Sequence, residues 1–202
     1  MTYNTYLTQQ PVFLALLGLF ATDILFNHTS SFNAYVIHDP SLWWDNQKQM
    51  QQIRNYFNKG KKLSASTFVF LSQASDEGRS QKTIEEMTTN IVAFKDIMTQ
   101  NHTHFKHQYY PNEGHGMVIY PANFDALRFI FKGYRTNVKD FALSPEKLMQ
   151  SYQAFSEKQN YPFQPSESYI NFIISYLKRT NNEKSMRYME QLKTQIFQHR
   201  TL

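Results

Sequence analysis

The order in which two hydrophobic periods alternate along the first 130 residues constrains the fold most. Ala34–Ile37, Thr67–Leu71 and Phe105–Tyr110 are short runs rich in β-branched and aromatic residues, the composition of buried strands. Between them the apolar spacing changes to that of a helix. Gln47–Asn58 sets Met50, Ile53, Tyr56 and Phe57 on one side and stops at Gly60. Ile84–Met98 does the same with Ile84, Met87, Ile91, Phe94 and Met98, and Phe124–Phe131 opens another helix. Strands separated by helices of this length predict parallel βαβ units. Val12–Ala21, an unbroken apolar run, reads as a strand running into a helix. It has about half the ~20 residues that a membrane span needs.

After Gly133 the strand period disappears. Ser144-Pro145-Glu146 has the form of a helix start with a serine cap, and Gln164–Glu167 and Asn182–Lys184 suggest two more. The expected organisation is an α/β unit over residues 1–135 and an all-helical extension over 136–202. Seventeen Phe and 13 Tyr in 202 residues suffice for a packed core and exclude a disordered chain. A net charge of +5 is spread out, and Lys59–Lys62 is a loop cluster rather than a stripe, so no nucleic-acid partner is expected. No membrane partner is expected either. With no cysteine the chain forms no disulfide, which suits the cytoplasm and does not exclude the periplasm.

The most distinctive string is Pro40-Ser41-Leu42-Trp43-Trp44-Asp45-Asn46, preceded by Phe32-Asn33-Ala34-Tyr35. It resembles a motif of the esterase family that contains the siderophore (enterobactin) esterases, in the α/β-hydrolase superfamily. In that family a strand ends in Ser-Pro-Ser-Leu-Trp-Trp, one βα unit after the nucleophile. Glu113-Gly114-His115-Gly116 and the following Ala126–Phe131 resemble its histidine loop and next helix. The segment from Pro165 to Tyr176 is similar to a helical extension in some members. The resemblance implies a partial α/β-hydrolase-like parallel sheet flanked by helices, corresponding to the C-terminal half of the family's domain. It also implies a serine carboxylesterase acting on small or siderophore-like esters, with the triad in the order nucleophile, acid, histidine.

Transferred residue by residue, the resemblance makes His115 the general base. The acid falls after the strand Thr67–Leu71, at Glu77 or Asp76. Pro40, Ser41, Leu42, Trp43 and Trp44 would wall the substrate pocket. In the family the turn reads Gly-His-Ser-x-Gly-Gly and is followed by Leu-Phe-Ala, and counting back from Pro40 without a gap puts Gly18-Leu19-Phe20-Ala21 on the end of that string. The nucleophile position is then Ala15, and Phe13 and Leu17 occupy glycine positions. The backbone N–H of Leu16 would be one oxyanion donor, and the strand that supplies the other precedes this chain. Loss of one such donor costs roughly 10²–10³ in rate. The expectation is therefore a hydrolase-family chain that is inactive as it stands.

His102, His104 and His107 invite a metal reading, but no cysteine completes the set and Lys106 opposes a dication, so neither metal nor cofactor is expected. If active, the chain's partner is a small-molecule ester. The competing expectation is a truncated gene product or a non-catalytic interaction module, in which the open strand edge near Val12–Leu14 pairs with a second copy or another chain.

Overall fold

The computed structural model describes residues 12–13, 15–29, 31–134 and 137–197. Four strands form one parallel sheet in sequential order: β1 (Val12–Phe13), β2 (Ala34–His38), β3 (Phe68–Ala74) and β4 (Phe105–Tyr110). In the shared register Val36 lies beside Val12 on one side and Phe70 on the other, and Phe70 lies beside Lys106. Each crossover is helical, through α1 (Ala15–Asn27), α2 (Trp44–Asn58) and α3 (Gln81–Asn101), and α4 (Ile119–Ile130) follows β4.

The strand period of two sorts side chains between the sheet's faces. Tyr35, Ile37, Val69 and Leu71 join Leu25, Ile53, Ile91 and Phe94 in one core under α1, α2 and α3. The alternate residues turn to the other face, where Phe129 of α4 meets Phe68 and Phe70 with ring centroids 5.8 and 6.2 Å away. Full burial of such a side chain contributes roughly 1.5–3 kcal/mol each. This two-faced burial, with all of β2 and β3 inaccessible, explains why those strands read as continuous apolar runs.

Among its described residues the second unit has four helices, α5 (Val138–Leu143), α6 (Lys147–Gln159), α7 (Glu167–Arg179) and α8 (Glu183–Phe197), and no strand. It has its own core, with Phe141, Leu148, Tyr152, Ile173, Leu177 and Met189 among its members. The chain divides between Ile130 and Phe131, a few residues before the expected boundary at 135/136.

Two local readings change. The strand expected to end at Leu71 continues through Ser72–Ala74 in β3, because Tyr109 and Tyr110 of β4 extend the ladder opposite Gln73 and Ala74. Ser144 does not cap α6. It terminates α5, a helix not anticipated, while Asn137 caps the start of α5 by accepting from the Lys139 N–H. The caps of α3 and α7 are serines, Ser80 and Ser166, which accept from the N–H groups of Thr83 and Tyr169.

Candidate functional site

The carboxyl ends of β2, β3 and β4 bring three loops together, as open parallel sheets do. The first begins at Asp39, directly after β2. Its backbone is left-handed, with φ of 38°, which an aspartate tolerates better than a branched residue. The Asp39 N–H donates to the Ser72 carbonyl at 2.9 Å. Its Oδ1 accepts the Ala74 N–H at 3.1 Å. Asp39 is thus sewn to the end of β3 by both backbone and side chain, and it is fully buried.

The third loop carries His115. It is fixed to β3 where the Ser75 N–H donates to the Glu113 carbonyl at 2.8 Å. His115 Nδ1–H donates to Asp39 Oδ2 at 2.7 Å, while the imidazole remains 42% exposed. This is the orientation that a general base requires: one ring nitrogen held by a buried carboxylate, the other free to take a proton. From the second loop, Arg79 donates to the same Asp39 oxygen through Nη2 and to Asp76 Oδ1 through Nη1 at 3.3 Å. Asp76 also accepts from the Thr88 hydroxyl on α3 at 2.9 Å. Burial of Asp39 works to raise its pKa, but the His115 hydrogen bond, the Arg79 charge and the Ala74 N–H outweigh it and hold the carboxyl below the usual value.

The expected residues separate in space. His115 stands in a paired position, but its carboxylate partner is Asp39. Asp76 is one step removed, joined through Arg79, and Glu77 has its backbone N–H on the Ser75 hydroxyl. Ala15 is the first residue of α1, two positions after the last residue of β1, and Leu16 follows it. Within the Pro40–Trp44 string, Leu42 is a core residue and Pro40 packs against α1, where a Cβ at Gly18 would lie 3.1 Å from the Pro40 Cα. Trp43 and Trp44 line a cavity. Asp39 and Arg79 were missed. The available signal for Asp39 was a departure from the motif, aspartate where the resembled family has the first serine of Ser-Pro-Ser-Leu-Trp-Trp.

Two further histidines support this edge. His38 is buried, its Nε2–H donating to Asn123 Oδ1 at 3.2 Å while Nδ1 accepts from the Ser72 hydroxyl at 2.8 Å. His107 Nε2–H donates to Gln73 Oε1 at 3.0 Å. His102 caps the C-terminus of α3 and bonds the Thr67 carbonyl, and His104, just before β4, stacks on Phe68. Among the described residues no cluster of three or more His, Asp or Glu is placed to hold a metal ion.

The parallel sheet with its sequential βα crossovers is a partial α/β-hydrolase-like fold, and its carboxyl edge carries a histidine–carboxylate pair. In structure it matches an IroE-like serine hydrolase from Shewanella oneidensis, with a TM-score of 0.73 and 23% identity over 89% of this chain and 56% of that one. In sequence it is similar to a siderophore enterobactin esterase from Emericella nidulans, 23% identical over 137 residues. A siderophore hydrolase, EstA, from Aspergillus nidulans aligns over 57% of this chain with a TM-score of 0.43. No protein-family model matches. The match to the siderophore enterobactin esterase bears out the resemblance to that family, over part of the relative. The chain spans 44% of the Emericella nidulans protein.

Proposed function

We propose that this chain is a siderophore-esterase relative that retains the acid–base half of a serine hydrolase site and lacks its nucleophile. The observation that carries the reading is the pairing of His115 with buried Asp39 on the same sheet edge where β1 gives way to α1 at Ala15. In a serine esterase the hydroxyl oxygen attacks the ester carbonyl carbon while the imidazole removes its proton. The imidazole then returns that proton to the departing alkoxide, and water cleaves the acyl-enzyme. A base held in this way can receive a proton, but the methyl group of alanine has neither proton to give nor lone pair to attack.

The test is covalent labelling followed by turnover. Intact mass measurement after exposure to a fluorophosphonate should show no adduct. Hydrolysis of p-nitrophenyl acetate should run no faster than with free imidazole at equal concentration. Ala15→Ser alone should give no acylation burst, since Phe13 and Leu17 stand where the resembled family has glycine. A phosphonylated residue, or turnover abolished by His115→Ala, would show that another nucleophile serves this site.

A further inference from the structure

A cavity of about 620 Å³ opens between the turn that follows β2 and the first half of α3. That is within the range of roughly 300–1,000 Å³ typical of small-molecule sites. Trp43 and Trp44 form its aromatic wall, their rings edge to face at 5.8 Å. Asp45, Glu85 and Glu86 contribute carboxylates, and buried Asn90 lies at its base with its amide committed to the Glu86 carbonyl. No lysine or arginine is among the lining residues. The lining thus holds three carboxylates and no cationic side chain of its own. Lys48 and Lys82 approach Asp45 and Glu86 at 3.6 and 3.8 Å, but as exposed side chains outside the lining.

We propose that this cavity binds a small organic cation with an apolar body, of the substituted-ammonium class. The face of an indole attracts a cation through its quadrupole and accommodates hydrocarbon equally well. Asp45 and Glu86 are paired with exposed lysines, contacts that solvent screens, and Glu85 accepts from Gln81 Nε2 at 3.0 Å, so the lining keeps carboxylate oxygens that favour a cation over an anion. Binding requires no nucleophile, so the inference goes beyond the hydrolase reading and is independent of it. The cavity nonetheless adjoins that site. Thr88, the neighbour of the lining residue Thr89, bonds Asp76, which is joined through Arg79 to Asp39 and His115.

Trp43 and Trp44 are the only tryptophans in the sequence, so indole fluorescence reports on this cavity alone. Titration of the full chain with benzyltrimethylammonium should give a saturable change. Benzyl alcohol and phenylacetate, matched in ring but neutral and anionic, should bind at least about tenfold more weakly. Combining Glu85→Gln and Glu86→Gln should weaken the cation about tenfold and leave benzyl alcohol unchanged. Both side chains lie on the surface of α3, and circular dichroism checks that the fold survives. Linear, collisional quenching, equal affinity for the three probes, or a cation affinity unmoved by the double substitution would each overturn the proposal.

Discussion

The Oδ2 atom of Asp39 is shared by two donors from different loops, Nδ1 of His115 and Nη2 of Arg79, which approach from 76 and 40 residues further along the chain. One buried oxygen thereby holds the ends of β2, β3 and β4 in a common arrangement. His115 is oriented by a carboxylate whose pKa is held down, against the effect of burial, by the His115 hydrogen bond itself and then by the Arg79 charge.

Asp39→Asn therefore tests the network directly. The amide oxygen can still accept the Ala74 N–H, but the charge facing Arg79 and His115 is lost. Removing one partner of a buried pair leaves the other uncompensated, and Arg79 keeps only Asp76. The expected loss of stability is about 2–4 kcal/mol by urea denaturation. A change below roughly 0.5 kcal/mol, the range of ordinary surface substitutions, would mean that Asp39 organises nothing.

Gly18→Ala probes the contact that seats this loop on α1. An added Cβ meets the Pro40 Cα and Cβ at 3.1 Å and the His38 carbonyl at 3.2 Å. Backbone atoms cannot swing aside as the end of a side chain can. Alanine's advantage of about 1 kcal/mol in a helix should be outweighed by overpacking of about 1–3 kcal/mol. A modest net destabilisation is expected, with the His115 imidazole resonances shifted because the Asp39 turn moves. Stabilisation would show that α1 can retreat from β2 at little cost.

Acid should unfold the chain through its histidines before its carboxylates. Burial lowers the pKa of His38, His102 and His107 below the ordinary 6.5. Each binds fewer protons folded than unfolded in the interval below that value, so stability rises with pH across it. It is fully present above about 6.5 and is lost as pH falls through the folded values. Asp39, also lowered, adds a loss of the same sign further down. Melting temperature should be level from about pH 7 to 8 and decline on acidification. A chain that gains stability between neutral pH and pH 5 would contradict the burial of these imidazoles.

Much of the α/β unit was legible because its signals are local. Gln47–Asn58 was read closely: Asp45, Asn46 and Gln47 have left-handed backbones, and the regular turns of α2 follow them. The helical face of Ile84–Met98 falls inside α3, and Met87, Ile91, Phe94 and Met98 are its buried residues. The end of β3 was not legible, because Ser72, Gln73 and Ala74 are poor strand formers by composition. They are extended because β4 supplies their hydrogen bonds and Asp39 caps the Ala74 N–H. Helix α5 was missed for a related reason. It is only six residues long, and Phe141 and Ala142 are buried in a core to which other helices contribute.

The site divides in the same way. The sequence by itself determined that the edge would carry His115 after one strand and the Pro40–Trp44 string after another, since residue type and strand spacing suffice for that. It also determined that alanine, with no reactive atom, stands at position 15. Which carboxylate His115 uses was decided only by the tertiary structure. Asp39, Asp76 and Glu77 all follow strand ends, and all three are ordinary carboxylic acids as isolated residues. Selection among them depends on which side chain lies in hydrogen-bond reach once the strands align. Asp39 is chosen because its left-handed turn and the Ala74 N–H aim it inward, whereas Asp76 is drawn to Thr88 and Arg79. Such a choice is a matter of a few ångströms between segments far apart in the chain, a distance that no local pattern encodes.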